Sequence, residues 1–227
     1  MKIVEKVIEL RKSSKFISKY PNGMFNRRMH TPSRLLKLIE ESIINESAKK
    51  EFRRLYVVCL CAAFESHWRE YYKHTINSID QKLLNFENHR KEMFSYSDLS
   101  NIIGKKLSLG ELLSCSYVFN GPMSVNKAFS DLLQKDLFKE FRETKFRMSE
   151  VPSKDNNKRP LANAVFEGRS VLKHIKTIEK CFIVRHETVH NTGVRYNLTK
   201  YELLKISSSM FTFNSVFTLF IDNKLKI

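Results

Sequence analysis

No pair among the four cysteines, at 59, 61, 115 and 181, has C-x-x-C spacing. Cys59 and Cys61 lie inside an apolar run, where free cysteine behaves as a small hydrophobe. That usage excludes a disulfide framework and suits a reducing compartment. A signal-peptide core is also missing, since Met1-Lys2-Ile3-Val4-Glu5-Lys6 alternates charged and apolar residues. The longest apolar run, Leu55 to Phe64, falls well short of the roughly 20 residues that cross a bilayer. There is no glycine-rich phosphate loop and no G-x-S-x-G. Acidic residues are scarce: 24 Asp and Glu stand against 40 Lys and Arg, a formal net charge of +16. The sequence pI is about 9.7. Such a field attracts polyanions, of which nucleic acid is the commonest; an acidic protein or plain solvated charge is the other reading. The expectation is a soluble cytoplasmic protein with no membrane partner.

What is present reads as helix throughout. At 227 residues the chain suits one domain with a sizeable core, residues 1–30 forming an N-terminal extension. Residues 1–20 carry Ile3, Val4, Val7, Ile8 and Leu10 at helical spacing before Pro21-Asn22-Gly23. Thr31-Pro32 predicts an N-cap and a first-turn proline for a helix carrying Leu35, Leu36, Leu38, Ile39, Ile43 and Ile44. Residues 48–92 lack proline and glycine and predict one long helix, or two broken near Asn77-Ser78, with an all-apolar middle. Ser108-Leu-Gly-Glu111 and Thr199-Lys-Tyr-Glu202 are capping boxes. Ser124 is read as the cap of a helix whose face runs from Phe129 to Phe141, residues 149–164 as a basic loop, and Gly168 to His190 as a helix. The last helix has more aromatic surface than one face needs, so it is core or a subunit interface. No stretch shows two-residue alternation, and the fold class is all-α.

One stretch concentrates the groups that move protons or hold phosphate: Arg185-His186-Glu187-Thr188-Val189-His190-Asn191. It supports two chemistries. His186-Glu187-x-x-His190 has zinc-hydrolase spacing, with two imidazoles one turn apart and a carboxylate as base. A catalytic zinc needs a third protein ligand, yet the longer pattern's third histidine position holds Tyr196, and Glu202 suits capping better. The other reading is Arg185-x4-His190. In this setting the segment resembles the HEPN superfamily, whose hallmark is Arg, a polar residue, three further residues and His.

The resemblance covers residues 48–75 and 168–225 most strongly. It implies an up-down antiparallel helical bundle and a metal-independent RNase of a toxin–antitoxin or antiviral system, without cofactor, acting as a homodimer. A cognate antitoxin or defence-system protein would be its protein partner. Arg185 takes the motif arginine, His186 the polar position, His190 the motif histidine, and Glu65 the acidic residue of an earlier core helix. Glu65 serves equally well as a salt bridge orienting Arg185.

The chemistry is argued independently of the family. Cleaving RNA through its 2′-hydroxyl needs a base, an acid and fixed positive charge at phosphorus, and yields a 2′,3′-cyclic phosphate and a 5′-hydroxyl. Guanidinium supplies the charge and imidazole the proton transfers. His190, at the expected C-terminal end of its helix, is the better acid. Arg185 and His190 lie about 140° apart around a regular helix, whereas His186 and His190 share a face. A two-fold dimer would bring two such sets across one cleft. Asn191, Arg195, Lys154, Lys158 and Arg159 are the expected RNA contacts. His67 and Trp68 read as packing, and His30, His74, His89 and His174 as surface. A module that binds RNA or a partner without cutting, and the zinc hydrolase, remain open alternatives.

Overall fold

The longest element explains the rest. In the computed structural model, which describes residues 3–13, 29–40, 45–79, 95–147, 165–190 and 198–225, Glu46–Ser78 (α3) is one unbroken helix. Asn45 caps it by accepting from the Ala48 N–H at 2.8 Å, and it ends at the Asn77-Ser78 break expected from sequence. Its apolar middle buries most of its circumference, with Tyr56, Val57, Leu60, Cys61, Phe64, Trp68, Tyr71 and Tyr72 all buried. Leu55, Val58, Cys59 and Ala62 form a narrow stripe that reaches solvent, so the run is not enclosed on every side.

Around it stand Ile3–Ser13 (α1), His30–Glu40 (α2), Tyr96–Gly104 (α4), Leu109–Ser116 (α5), Pro122–Leu133 (α6), Leu137–Arg142 (α7), Gly168–Leu172 (α8), Ile175–His190 (α9) and Lys200–Leu225 (α10). The described residues are thus all-α in class. The exception is a ribbon of three-residue strands, Lys145–Arg147 (β1) antiparallel to Val165–Glu167 (β2), with Phe146 opposite Phe166. Three residues are too few for an alternating pattern to register in the sequence.

Helix α10 supplies the other wall of the core. Phe213 and Phe217 each place their ring 5.8 Å from Trp68, and Phe217 continues to Phe220. Trp68 Nε1 donates to Asn214 Oδ1 at 2.7 Å, so the one indole N–H is satisfied inside the apolar layer. The aromatic surplus of this helix is therefore core, apart from exposed Tyr201 and Phe211. By length and composition α10 could cross a membrane, but 56% of its most apolar window is buried inside the protein.

Chain directions depart from a uniform up-down antiparallel order. Helices α9 and α10 are antiparallel, since Lys180 meets Glu202 while His174 meets Ser209. Against α3, in contrast, partners rise together: Phe64 with Phe213, then Tyr71 with Thr218 and Asp222. The same holds for Cys61 with Cys181 and Glu65 with Arg185.

Several boundaries move. Helix α2 starts at His30, so Thr31 is inside it, and the Ser33 hydroxyl donates back to Met29 O. Ser124 is not a cap: Gly121 is, with Pro122 in the first turn, and the Ser124 hydroxyl donates to Gly121 O. The helix expected across Phe129–Phe141 is two, because Gln134 adopts a left-handed conformation (φ 52°) and Asp136 caps α7. Helix α4 is an addition to the expected elements, although Ser95 and Asp98 form a capping box. The helix expected from Gly168 to His190 is interrupted at Lys173-His174. Gly168 is required where it stands, because a Cβ there would overlap the Phe141 carbonyl. The N-terminal extension is docked through α1, whose Val4 and Val7 bury against Leu107 and Cys115. The expectations for residues 14–20, 41–44, 80–92 and 148–164 lie outside the described residues.

Candidate functional site

Helix α9 carries the motif, and its two sides do different things. Ile178, Cys181, Phe182 and Val184 are buried toward the core. On that side Cys61 Sγ and Cys181 Sγ meet at 3.5 Å as free thiols, and burial pushes the Cys61 thiol far up. One turn later on both helices, Arg185 Nη1 donates to Glu65 Oε1 at 2.6 Å. The i, i+4 step on α3 and on α9 thus sets an ion pair directly beyond a thiol pair. The Glu65 side chain keeps 19% of its exposure and that of Arg185 34%, so the pair stands at the rim of the core.

Arg185 uses one N–H of its five in this contact, and no other hydrogen bond is formed by its side chain among the described residues. Glu65 fixes the fork and leaves donors for an incoming anion. The expectation that Glu65 orients Arg185 through a salt bridge matches this contact.

His186 and His190 occupy the outer side. Both are exposed, with ring centroids 4.7 Å apart and planes inclined by 47°. Their spacing is the one-turn contact expected for i, i+4. Arg185 turns in to Glu65 while the imidazoles face out, so Arg185 and His190 form no contact within the chain. The angular offset read from the sequence is realised in the fold.

Among the described residues no third ligand for a metal stands at this pair. Glu202 accepts from the Thr199 N–H at 2.9 Å and hydroxyl at 3.1 Å, closing its capping box, and pairs with Lys180 at 3.1 Å. Among the described residues no group of three His, Cys, Asp or Glu side chains is arranged to hold a metal ion.

Asn191, Arg195, Lys154, Lys158 and Arg159 lie outside the described residues. His67 and Trp68 are packing residues, both buried, and their rings meet edge to face at 5.2 Å. His174 is not the surface residue expected: it is half-buried against α10, Nδ1 2.9 Å from Ser209 Oγ, and burial lowers its pKa with Lys205 adding to the effect. A cleft at the opposite end of α9, edged by Lys139, Arg142 and Lys176, has no counterpart among the sequence-based expectations. Its walls come from helices distant in sequence, and only the excess of basic residues hints at it.

No family model matches the chain, and neither does any curated protein or solved structure.

Proposed function

We propose that the chain is a metal-independent endoribonuclease with a HEPN-like helical bundle. The observation that carries this reading is the division of labour at the end of α9. Glu65 holds Arg185 by a single hydrogen bond, with donors to spare, and two imidazoles stand paired and exposed on the outer side of the same helix end. The +16 charge supplies the attraction for RNA.

In the reaction, one imidazole removes the proton of a 2′-hydroxyl as that oxygen attacks phosphorus. The bond from phosphorus to the 5′-oxygen breaks, and a second imidazolium, assigned to His190, protonates the leaving oxygen. Arg185 stabilises the charge gathering on the phosphorane oxygens. Because Arg185 and the imidazoles leave α9 on different sides, a homodimer that sets two helix ends across one groove completes the site. The setting is a cytoplasmic toxin or antiviral system, with an antitoxin or defence protein as the regulating partner.

The test is cleavage of RNA in excess chelator by the wild type, Arg185→Ala and His190→Ala, with product ends identified and oligomeric state measured. Chelator-resistant cutting to cyclic phosphate ends, lost in both variants, is the expected result. A monomer that cuts at full rate removes the composite site. A second reading, binding without cleavage, draws on the tie between Arg185 and Glu65. It predicts RNA binding that survives His190→Ala and no cutting by any form.

A further inference from the structure

A cleft of about 660 Å³ lies where α6, α7, α8 and the start of α9 meet. Met123, Phe138 and Ile175 contribute an apolar floor, and Lys139, Arg142 and Lys176 stand around it. Elsewhere several cations are engaged: Lys49, Arg54, Lys73, Lys127, Lys180 and Lys224 each reach a carboxylate. The three cleft cations have no carboxylate partner among the described residues, and all are exposed. Two acids share the lining: Asp136 is turned to capping α7, and Glu179, half-buried on α9, leaves the cations in excess. An apolar cleft with an excess of unpaired cations at its edge is suited to the bases and phosphates of an unpaired strand.

The position of the cleft on α9 gives it direction. At about 100° per residue, Ile175, Lys176, Glu179, Ile183, His186 and His190 fall within an arc of roughly 100°. That arc is the solvent side, since Ile183 is 55% exposed and both histidines are exposed. At about 1.5 Å of rise per residue, Ile175 is about 16 Å from His186 along the axis, the length of a few nucleotides. The cleft and the imidazole pair are two stations on one face.

We infer that this cleft is a binding site for single-stranded RNA, holding nucleotides that flank the bond placed at His186 and His190. Its relation to that bond rests on the ribonuclease reading; its capacity to bind does not. Lys139, Arg142 and Lys176 meet phosphates, and the Met123–Phe138–Ile175 floor meets base faces without selecting among them.

The experiment measures binding of a short 2′-O-methyl single-stranded RNA, which cannot be cut through its 2′ position, across a salt series. Replacing Lys139, Arg142 and Lys176 together by alanine is expected to weaken binding about tenfold or more. It should also flatten the dependence of log affinity on log salt by about 0.7 for each phosphate no longer neutralised. A control with the same charge change elsewhere, Lys50→Ala with Lys105→Ala and Lys205→Ala, should alter affinity less than about threefold. No binding by the wild type, an unaffected cleft variant, a control weakened equally, or duplex RNA bound as tightly would each overturn the inference. A wild type that binds through the cleft yet leaves unmodified RNA uncut removes the ribonuclease reading alone. Cutting by a protein whose cleft variant binds unchanged removes the cleft alone.

Discussion

Two arginines reach across this molecule to a glutamate on a distant helix, and they are used differently. Arg11, on α1, commits four of its five N–H donors. Its Nε and Nη2 grip both oxygens of Glu111 at 2.6 and 2.5 Å, while Nη1 and Nη2 donate to the carbonyls of Lys105 and Lys106. Four hydrogen bonds from one guanidinium tie the N-terminal helix to the turn between α4 and α5. Arg185 makes one, to Glu65, at the rim of the core. A fork so nearly filled is a staple and has little left for a ligand. A fork held at one corner is oriented and still has donors to offer. On the proposed ribonuclease reading, the contrast separates an arginine that holds the fold from one that would meet a substrate.

Parallel substitutions sharpen it, the largest effect coming at Arg185. Arg185→Lys keeps the charge and loses the planar fork, so RNA cleavage should fall by about 100-fold or more. The melting temperature should barely move, since a partly exposed ion pair contributes about 0–1 kcal/mol. A large drop in melting temperature with cleavage intact would make Arg185 a second staple and end the contrast. Next comes Glu65→Gln, which keeps an acceptor but removes the charge that fixes the fork. Cleavage should fall about tenfold through kcat, with binding of uncut RNA unchanged. Loss of binding instead of turnover would mean that Glu65 organises the surface rather than the reacting geometry.

One of these arginines is visible in the sequence and the other is hidden. Arg185 lies in a local pattern, and the carboxylate that orients it can be picked out at the edge of the apolar run ending at Phe64. Both capping boxes, Ser108 with Glu111 and Thr199 with Glu202, are legible because a helix start is decided within four residues. The same signal stands at Ser95 and Asp98, where a short, mostly exposed helix gives it little apolar support. Arg11 cannot be paired from sequence, because Glu111 already has a sufficient role as a cap and the second role exists only after α1 docks. The break at Gln134 is equally hidden: glutamine carries no turn signal, and the left-handed residue is imposed by Leu137, Phe138 and Phe141 reaching the core. The cleft beside α9 needs α6, α7, α8 and α9 in place before Lys139 and Arg142 on α7 can converge with Lys176 on α9.

At the staple itself, Arg11→Ala should leave cleavage unchanged and destabilise the docked α1 by about 2 kcal/mol, because Glu111 is left nearly buried without its fork. Hydrogen exchange on α1 would report the loosening directly, with the amides of α3 as the internal reference. Equal loosening of both helices would show that α1 belongs to the main core rather than to the satellite cluster of Val4, Val7, Leu107 and Cys115.

The smallest effect concerns pH. Burial works to raise the Glu111 carboxyl, but hydrogen bonds from Arg11 and the Ser108 N–H, with the charges of Arg11 and Lys73, outweigh it and hold the pKa at about 2. A carboxyl whose pKa is lower folded than unfolded binds protons more readily unfolded, so its stabilisation is complete above its ordinary value of 4.5 and fades as pH falls toward about 2. The docking of α1 should therefore be insensitive to pH from neutrality to about 5 and weaken progressively below 4.5. Exchange on α1 followed against pH in wild type and Glu111→Gln isolates this contribution, since glutamine retains the shape and cannot titrate. The wild type should approach the variant as pH drops. If the two keep a constant separation down to about pH 2, the staple is held by the carbonyls of Lys105 and Lys106 rather than by charge. Both arginines would then be anchored chiefly by geometry, and the contrast would narrow to how many donors each leaves free.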